Sequence, residues 1–411
     1  MRRILIYWWQ AERKVKVAEI AERRGSPIML EWDKKFLNTE LELSPIKFSK
    51  KKGVVECPAQ PFDGLPGFLA DQLPDGWGRI LLKRGLRDSG ILGDELSPLD
   101  AMAYIGDRAM GALSFEPALR GNEQWGTGEV SLSDLERGVE PILDGEASSV
   151  IGAFLESGAS PHGVRPKILL KEKDGTFFSG VENLNADEWL IKFRSPEDPK
   201  DIGKVEYIYS QIAKSAGLRV PETRLFKSGK KFFFGSKRFD RSAGERFHLH
   251  TLSGLLHAAP GNFSVGYDHF ARVTSHLTRD MRELEQVFRI AVFNTFACNQ
   301  DDHSRNVAFL MDGAGHWQVA PAYDLTFYRT SSGEHKMGVD GNGQLTEGVM
   351  VNFGQSIGIK KSLVKEIISK TKEEISRFPK LARELDVHKN EVKRVWSNLE
   401  KGVAAKKDRG R

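Results

Sequence analysis

The chain has 411 residues, 40% hydrophobic and 28% charged, with a net charge of +5. These are the proportions of an ordinary globular protein, long enough for a sizeable core and for two or three domains or one enzyme with lobes. Two cysteines, Cys57 and Cys298, exclude a disulfide framework and a cysteine-rich zinc site, and an excess of charge this small announces no nucleic-acid-binding body. Residues 1–50 read as β-rich, with strands over 4–9 and 27–32 and polar turn material around them. The first apolar run is too short for a signal peptide, and no stretch reaches the ~20 apolar residues that span a bilayer. A cytoplasmic protein without membrane contact is the expectation.

A loop-rich passage over 64–78 leads into a short helix over 77–87. Ser97 before Pro98 predicts an N-capped helix to residue 105, followed by a turn into a strand. Gly-rich, polar residues 121–127 suggest a boundary, and 132–158 is mostly helical. Residues 158–167, Gly-Ala-Ser-Pro-His-Gly-Val-Arg-Pro-Lys, run straight into a strand. Such a loop can turn backbone N–H groups toward phosphates, with Arg165 and Lys167 adding positive charge, although a plain surface turn has the same composition.

Lys192 stands inside the apolar strand Trp189-Leu-Ile-Lys-Phe193. The kinase V-A-I-K strand has this form and sets its lysine on nucleotide phosphates; a lysine snorkelling from an edge strand is the plainer reading. Glu206 lies on the amphipathic helix that follows. It is either the acid partner of Lys192 or a solvated first-turn acid favoured by the helix dipole. A hairpin through Ser228-Gly229 comes next, and from His248 onward the pattern is mainly helical, with one long helix or two joined ones over 277–298.

The octet Asn299-Gln-Asp-Asp-His-Ser-Arg-Asn306 lies between an apolar helix-like run and an apolar strand-like run. Polar groups in that position cost stability unless bonded, solvated or metal-bound. Asp301 and Asn306 are five apart, the spacing of base and metal-ligating Asn in the kinase loop H-R-D-x-x-x-x-N. Asp324, in Ala322-Tyr-Asp-Leu325, then matches the acid that holds Mg²⁺. The alternative is a capped turn. Asp302 reads as a solvated or structural neighbour. Residues 331–348 are polar and Gly-rich, 360–399 are helical, and the tail over 401–411, with five basic residues against one acid, reads as solvated more readily than as a DNA contact.

These blocks, in this order, resemble the HipA family of bacterial toxin serine/threonine kinases. The likeness runs from about residue 1 to about 380 and includes Leu73-Pro-Asp-Gly-Trp-Gly-Arg79 and Lys237-Arg-Phe-Asp-Arg241. It implies an α+β, two-lobed protein-kinase-like fold, with a β-rich N-terminal lobe and an all-α C-terminal lobe. The divisions expected are 1–120, 121–245 and 246–411. It implies ATP and Mg²⁺, a serine-bearing protein substrate such as an aminoacyl-tRNA synthetase, growth arrest, and a HipB-like DNA-binding antitoxin that supplies any contact with DNA.

By position, the resemblance makes Asp301 the base and gives Asn306 and Asp324 to the metal. Lys192 falls to the phosphates. His162, Gly163, Val164, Arg165, Pro166 and Lys167 become the covering loop. Lys237, Arg238 and Phe239 frame the adenine, His303 and Tyr323 line the nucleotide site, and Ser160 is the autophosphorylated serine. His162 and Val164 stand where the family commonly has smaller residues. Two rival readings remain: a metal-dependent hydrolase or nuclease using Asp301, Asp302, His303 and Asp324, and an inactive co-repressor.

Overall fold

A computed structural model describes residues 2–10, 13–88, 96–118, 128–146, 148–157, 163–181, 185–242 and 244–403. Contacts divide the chain into two compact units that interleave in sequence. The first holds Met1–Asp198, Phe226–Ala259 and Ala308–Trp317; the second holds Pro199–Leu225, Pro260–Val307 and Gln318–Arg411. The first unit takes back a late segment, in which a strand at 308–311 pairs with one at 248–251.

In the first unit, β1 (Arg2–Gln10), β2 (Arg13–Glu22), β3 (Met29–Trp32), β4 (Val54–Glu56) and β5 (Leu113–Glu116) form a sheet in the order β4-β3-β2-β1-β5. β1 buries Ile4, Ile6 and Trp8, every second residue of the strand. β2 falls where turn material was expected. Its charged residues hide the pattern, yet Val17, Ala18 and Ile20 are buried, and the pairing with β1 shifts register at Ile6/Tyr7. Ser97 caps its helix as expected, accepting the Asp100 N–H at 3.3 Å while Asp100 accepts the Ser97 N–H at 3.2 Å.

A second sheet uses β6 (Gly128–Val130), β7 (Lys167–Lys173), β8 (Thr176–Ser179), β9 (Asp187–Lys192), β10 (Thr223–Ser228) and β11 (Lys231–Lys237) in the order β10-β11-β9-β7-β8-β6. Antiparallel pairing sets Lys167 opposite Lys192, Ile168 opposite Ile191 and Leu170 opposite Trp189. The short pair β12 (Arg241–Ser242) and β13 (Glu245–Arg246) precedes a third sheet of β14 (His248–Thr251), β15 (Ala308–Met311) and β16 (Trp317–Val319). The region from His248 is mainly helical as expected, but it opens with β14, whose four residues are buried and laddered to β15. One apolar core joins Trp8, Phe68, Trp77, Phe154 and Trp189.

The second unit is helical, with helices Ile202–Ser215, Tyr267–Thr278, Met281–Phe296, Glu347–Ser356, Lys361–Ser376, Phe378–Glu384 and Lys389–Val403. The run expected as one or two helices over 277–298 is essentially one helix, Met281–Phe296, preceded by the last two residues of Tyr267–Thr278. Arg279 takes a left-handed φ of 50°, and Asp280 caps the second helix by accepting the Arg282 N–H at 2.8 Å. Together the units give the α+β class expected, one β-rich and one helical. Among the described residues no helix is long and apolar enough to cross a membrane.

Candidate active site

Helix Met281–Phe296 is buried on nearly every side over its second half, so its end is fixed. Cys298 then turns the chain with a φ of 50°. Asn299 ties back to the helix: its N–H reaches the Asn294 carbonyl at 3.0 Å and its Nδ2 reaches Asn294 Oδ1 at 2.9 Å. The octet now closes on itself. The Asp301 carbonyl accepts the His303 N–H at 2.9 Å and Asn306 Nδ2 at 3.0 Å, and the Asn306 N–H reaches the His303 carbonyl at 2.8 Å. The five-residue spacing read from sequence is thus the span of one hydrogen-bonded loop.

The two neighbouring carboxylates have opposite environments. Asp301 meets Lys336 Nζ at 2.6 Å, with side chains 34% and 32% exposed. Asp302 is only 2% exposed. Its Oδ2 accepts the Tyr267 hydroxyl at 2.7 Å and lies 2.8 Å from His335 Nδ1; its Oδ1 accepts the N–H groups of Lys336 at 2.9 Å and Met337 at 3.4 Å. Asn294 Nδ2 extends the chain by donating to the Tyr267 oxygen at 2.9 Å. A buried carboxylate is retained by such donors, so Asp302 is structural, and the solvated half of its expected reading is corrected.

Tyr323 donates its hydroxyl to the Arg305 carbonyl at 2.6 Å, which lays the segment before Asp324 against the octet. Asp324 has a left-handed φ of 56°, a conformation aspartate adopts more readily than most residues. Burial holds the His303 imidazole below its usual pKa, while the Asp301 and Asp324 carboxylates pull it upward. Among the described residues its Nδ1 is buried without a hydrogen-bond partner. Asp301, His303, Asn306, Tyr323 and Asp324 are therefore assembled together in the second unit.

The donors at this loop suit a hard cation. Asn306 spends its Nδ2 on Asp301, which orients its carbonyl oxygen away from that bond, and Asp324 supplies a carboxylate. Among the described residues no group of three or more His, Cys, Asp or Glu is placed to hold a metal ion. One carboxylate and one amide oxygen fit Mg²⁺, which keeps waters and phosphate oxygens as its other ligands, better than an all-protein cage would.

In the first unit, the loop before β7 is held by the block at 73–79. The Gly163 N–H reaches Asp75 Oδ1 at 2.5 Å, the Trp77 N–H reaches the Gly163 carbonyl at 3.2 Å, and the Trp77 indole reaches the Lys167 carbonyl at 3.0 Å. Gly76 has a φ of 43°, and a Cβ there would lie 2.6 Å from the Gly163 oxygen, so only glycine fits. Val164 is exposed and Lys167 buried. Arg165 pairs with Asp198 at 3.3 Å, and the Pro166 carbonyl accepts the Phe193 N–H at 2.9 Å. Ser160 and His162 lie outside the described residues.

Lys192 is half-buried, its Nζ 5.6 Å from the Phe234 ring centre. Lys237 pairs with Asp187 at 2.7 Å, and Phe239 is half-buried. The Arg238 guanidinium is buried against Asp240 at 2.6 Å and Glu188 at 2.9 Å, and it holds the Asp240 carboxyl well below the usual carboxylate range despite burial. Glu206 belongs to the second unit and is buried, because it lies one turn inside helix Ile202–Ser215; the solvated first-turn reading is corrected.

A third constellation was not seen in the sequence. Ser44 Oγ lies 3.0 Å from His250 Nε2, and His250 Nδ1 lies 2.6 Å from Asp71 Oδ2. The order is that of a hydrolytic triad, but all three residues are buried, and Asp71 also accepts the Thr251 N–H at 2.7 Å and hydroxyl at 2.8 Å. The array is a strut between the first unit's loops and β14. Tyr267, His335 and Lys336 were also missed. The signals available were Asn294, polar within an apolar helix, and a lone lysine in the Gly-rich stretch over 331–348.

The fold and these two assemblies define an α+β protein with a polar, acid-bearing loop in a helical unit and a clasped loop beside a lysine strand in a β-rich one. The family model for the HipA N-terminal domain matches residues 6–116, and that for the HipA-like C-terminal domain matches residues 159–378. The chain belongs to the HipA family. It is 26% identical over 277 residues to a Haemophilus influenzae protein described as "Putative kinase", covering 59% of this chain and 76% of that one. It is 26% identical over 290 residues to Toxin YjjJ of Escherichia coli K12, covering 65% of this chain and 60% of that one. Its fold is shared with HipA of Shewanella oneidensis MR-1, solved with HipB and operator DNA: TM-score 0.69, 18% identity, 97% of this chain and 96% of that one.

Proposed function

We propose that this chain is a HipA-type kinase that transfers the γ-phosphoryl group of ATP to a serine or threonine hydroxyl of a protein. The observation that carries this reading is the contrast between Asp301 and Asp302: one partly exposed carboxylate on a closed loop beside Asn306, next to one buried and fully bonded. Asp301 accepts the hydroxyl proton. Asn306 and Asp324 would hold Mg²⁺, which when bound neutralises charge on the phosphates. Lys192 and the loop over 163–167 supply positive charge and N–H groups for nucleotide phosphates. Lys237, Arg238 and Phe239 border the adenine. Catalysis is then positioning and electrostatics.

The hydrolase reading needs Asp302 beside Asp301 as a metal ligand, and Asp302 already receives Tyr267, Lys336 and Met337. A HipB-like antitoxin is the partner this reading carries, supported by the HipB-bound Shewanella relative, with DNA reached through that partner. Self-phosphorylation at Ser160 belongs to the same proposal. The test is labelled ATP with Mg²⁺ and a bacterial lysate. Asp301→Asn abolishes labelling while retaining the fold and most ATP binding, and Lys192→Ala weakens nucleotide binding and turnover together. Near wild-type labelling by Asp301→Asn overturns the assignment, and metal-dependent nuclease activity without ATP restores the hydrolase.

A further inference from the structure

Resting on the kinase reading, we propose that Lys336 is a positioning residue for the catalytic base, delivered from a segment 35 residues downstream of it. Its Nζ bonds one carboxylate oxygen of Asp301 at 2.6 Å. Among the described residues no other side chain hydrogen-bonds that carboxylate. A lysine–aspartate pair in which each side chain is about one-third exposed contributes little to stability. This one is nevertheless built with care. The backbone of Lys336 is pinned at 2.9 Å to Asp302, the residue directly after the base, and the flanking His335 and Met337 are pinned to the same carboxylate at 2.8 and 3.4 Å. Asp302 is in turn held by Tyr267 at 2.7 Å, and Tyr267 by Asn294 at 2.9 Å. Base and lysine therefore share one buried anchor.

The chemistry gives that arrangement a purpose. In the transfer step the substrate hydroxyl loses its proton to the Asp301 carboxylate. The hydroxyl oxygen forms a bond to the γ-phosphorus, and the bond from that phosphorus to the β–γ bridging oxygen breaks, its electron pair leaving on ADP. The base works only if one of its oxygens faces the hydroxyl at hydrogen-bond distance. A flexible carboxylate has two soft torsions. An ammonium on one oxygen fixes its plane and presents the other oxygen to the substrate. Misplacing a reacting group by about 1 Å costs on the order of 10²-fold in rate.

The test is steady-state kinetics of purified full-length wild type, Lys336→Ala, Lys336→Met and Lys336→Arg, with ATP and a labelled protein substrate, alongside melting curves. The expected result is a kcat loss on the order of 10²-fold in the Ala and Met variants, with KM for ATP and the melting temperature near wild type. Lys336→Arg, which can still donate to Asp301, recovers most of the rate. A purely structural role would lower the melting temperature and would not be rescued by Arg. If kcat of Lys336→Met stays within about twofold of wild type, or if the loss lies in KM, this inference is overturned while the kinase reading stands. A wild-type protein that transfers no phosphoryl group overturns both.

Discussion

Replacing Asp302 by Ala removes the acceptor for the Tyr267 hydroxyl, the His335 ring and the Lys336 N–H, at 2.7, 2.8 and 2.9 Å. Each buried donor left unsatisfied costs roughly 1–3 kcal/mol. Water entering the space left by the side chain recovers part of this, and loss of one partner from a buried charged network typically costs about 3–5 kcal/mol. For a helical unit of this size that corresponds to a fall in melting temperature of roughly 10 °C. Asp302→Asn keeps the shape and one acceptor oxygen and costs about half as much. Calorimetry on the full chain measures the transition, and amide exchange on peptides covering 331–340 reports whether the Lys336 and Met337 N–H groups lose protection. An Asp302→Ala protein with wild-type melting and wild-type exchange there would show that Asp302 is solvated and that the anchor described above does not exist.

Two further predictions concern the first unit. Asp75→Ala frees the Gly163 N–H and raises KM for ATP several-fold more than it lowers kcat, whereas Asp75→Asn, which keeps an acceptor oxygen, stays near wild type; equal KM values in all three proteins would refute the clasp. His248 donates Nε2–H to the Leu43 carbonyl at 2.9 Å, and burial, with the nearby His250, pushes its pKa down to about 3. An unfolded histidine titrates near 6.5, so between about pH 6.5 and 3 the unfolded chain binds more protons and the folded unit loses stability as pH falls, by up to a few kcal/mol. Denaturation midpoints measured from pH 7 to 4 should fall more steeply in wild type than in His248→Gln, and identical slopes would refute the assignment.

What the sequence made legible was contrast. Asp301, Asn306 and Asp324 stood out because polar residues interrupted apolar runs, and Lys192 because it was charged inside a strand. Ser97 before Pro98 announced its own cap. What stayed hidden depends on contacts without a local pattern. Lys336 and Asp301 are 35 residues apart, Asp75 and Gly163 are 88 apart, and Ser44 and His250 are 206 apart. No periodicity joins such pairs. β2 was hidden for a different reason: Arg13, two lysines and two glutamates interrupt its apolar residues, and only burial separates it from a turn. The Asp301–Asn306 spacing and the capped-turn alternative meet in one object, since Asn306 closes the loop by donating to the Asp301 carbonyl.

The clasp of Asp75, Gly76 and Trp77 on Gly163 crosses the gap between the two matched family segments, residues 6–116 and 159–378. The apolar core crosses it as well, joining Trp8 and Trp77 from one segment to Ile168 and Trp189 from the other. Two segments that look like separable modules in sequence therefore share one apolar core. A chimera that exchanged only one of the two segments would open this shared core, and the incoming segment would have to supply matching apolar contacts.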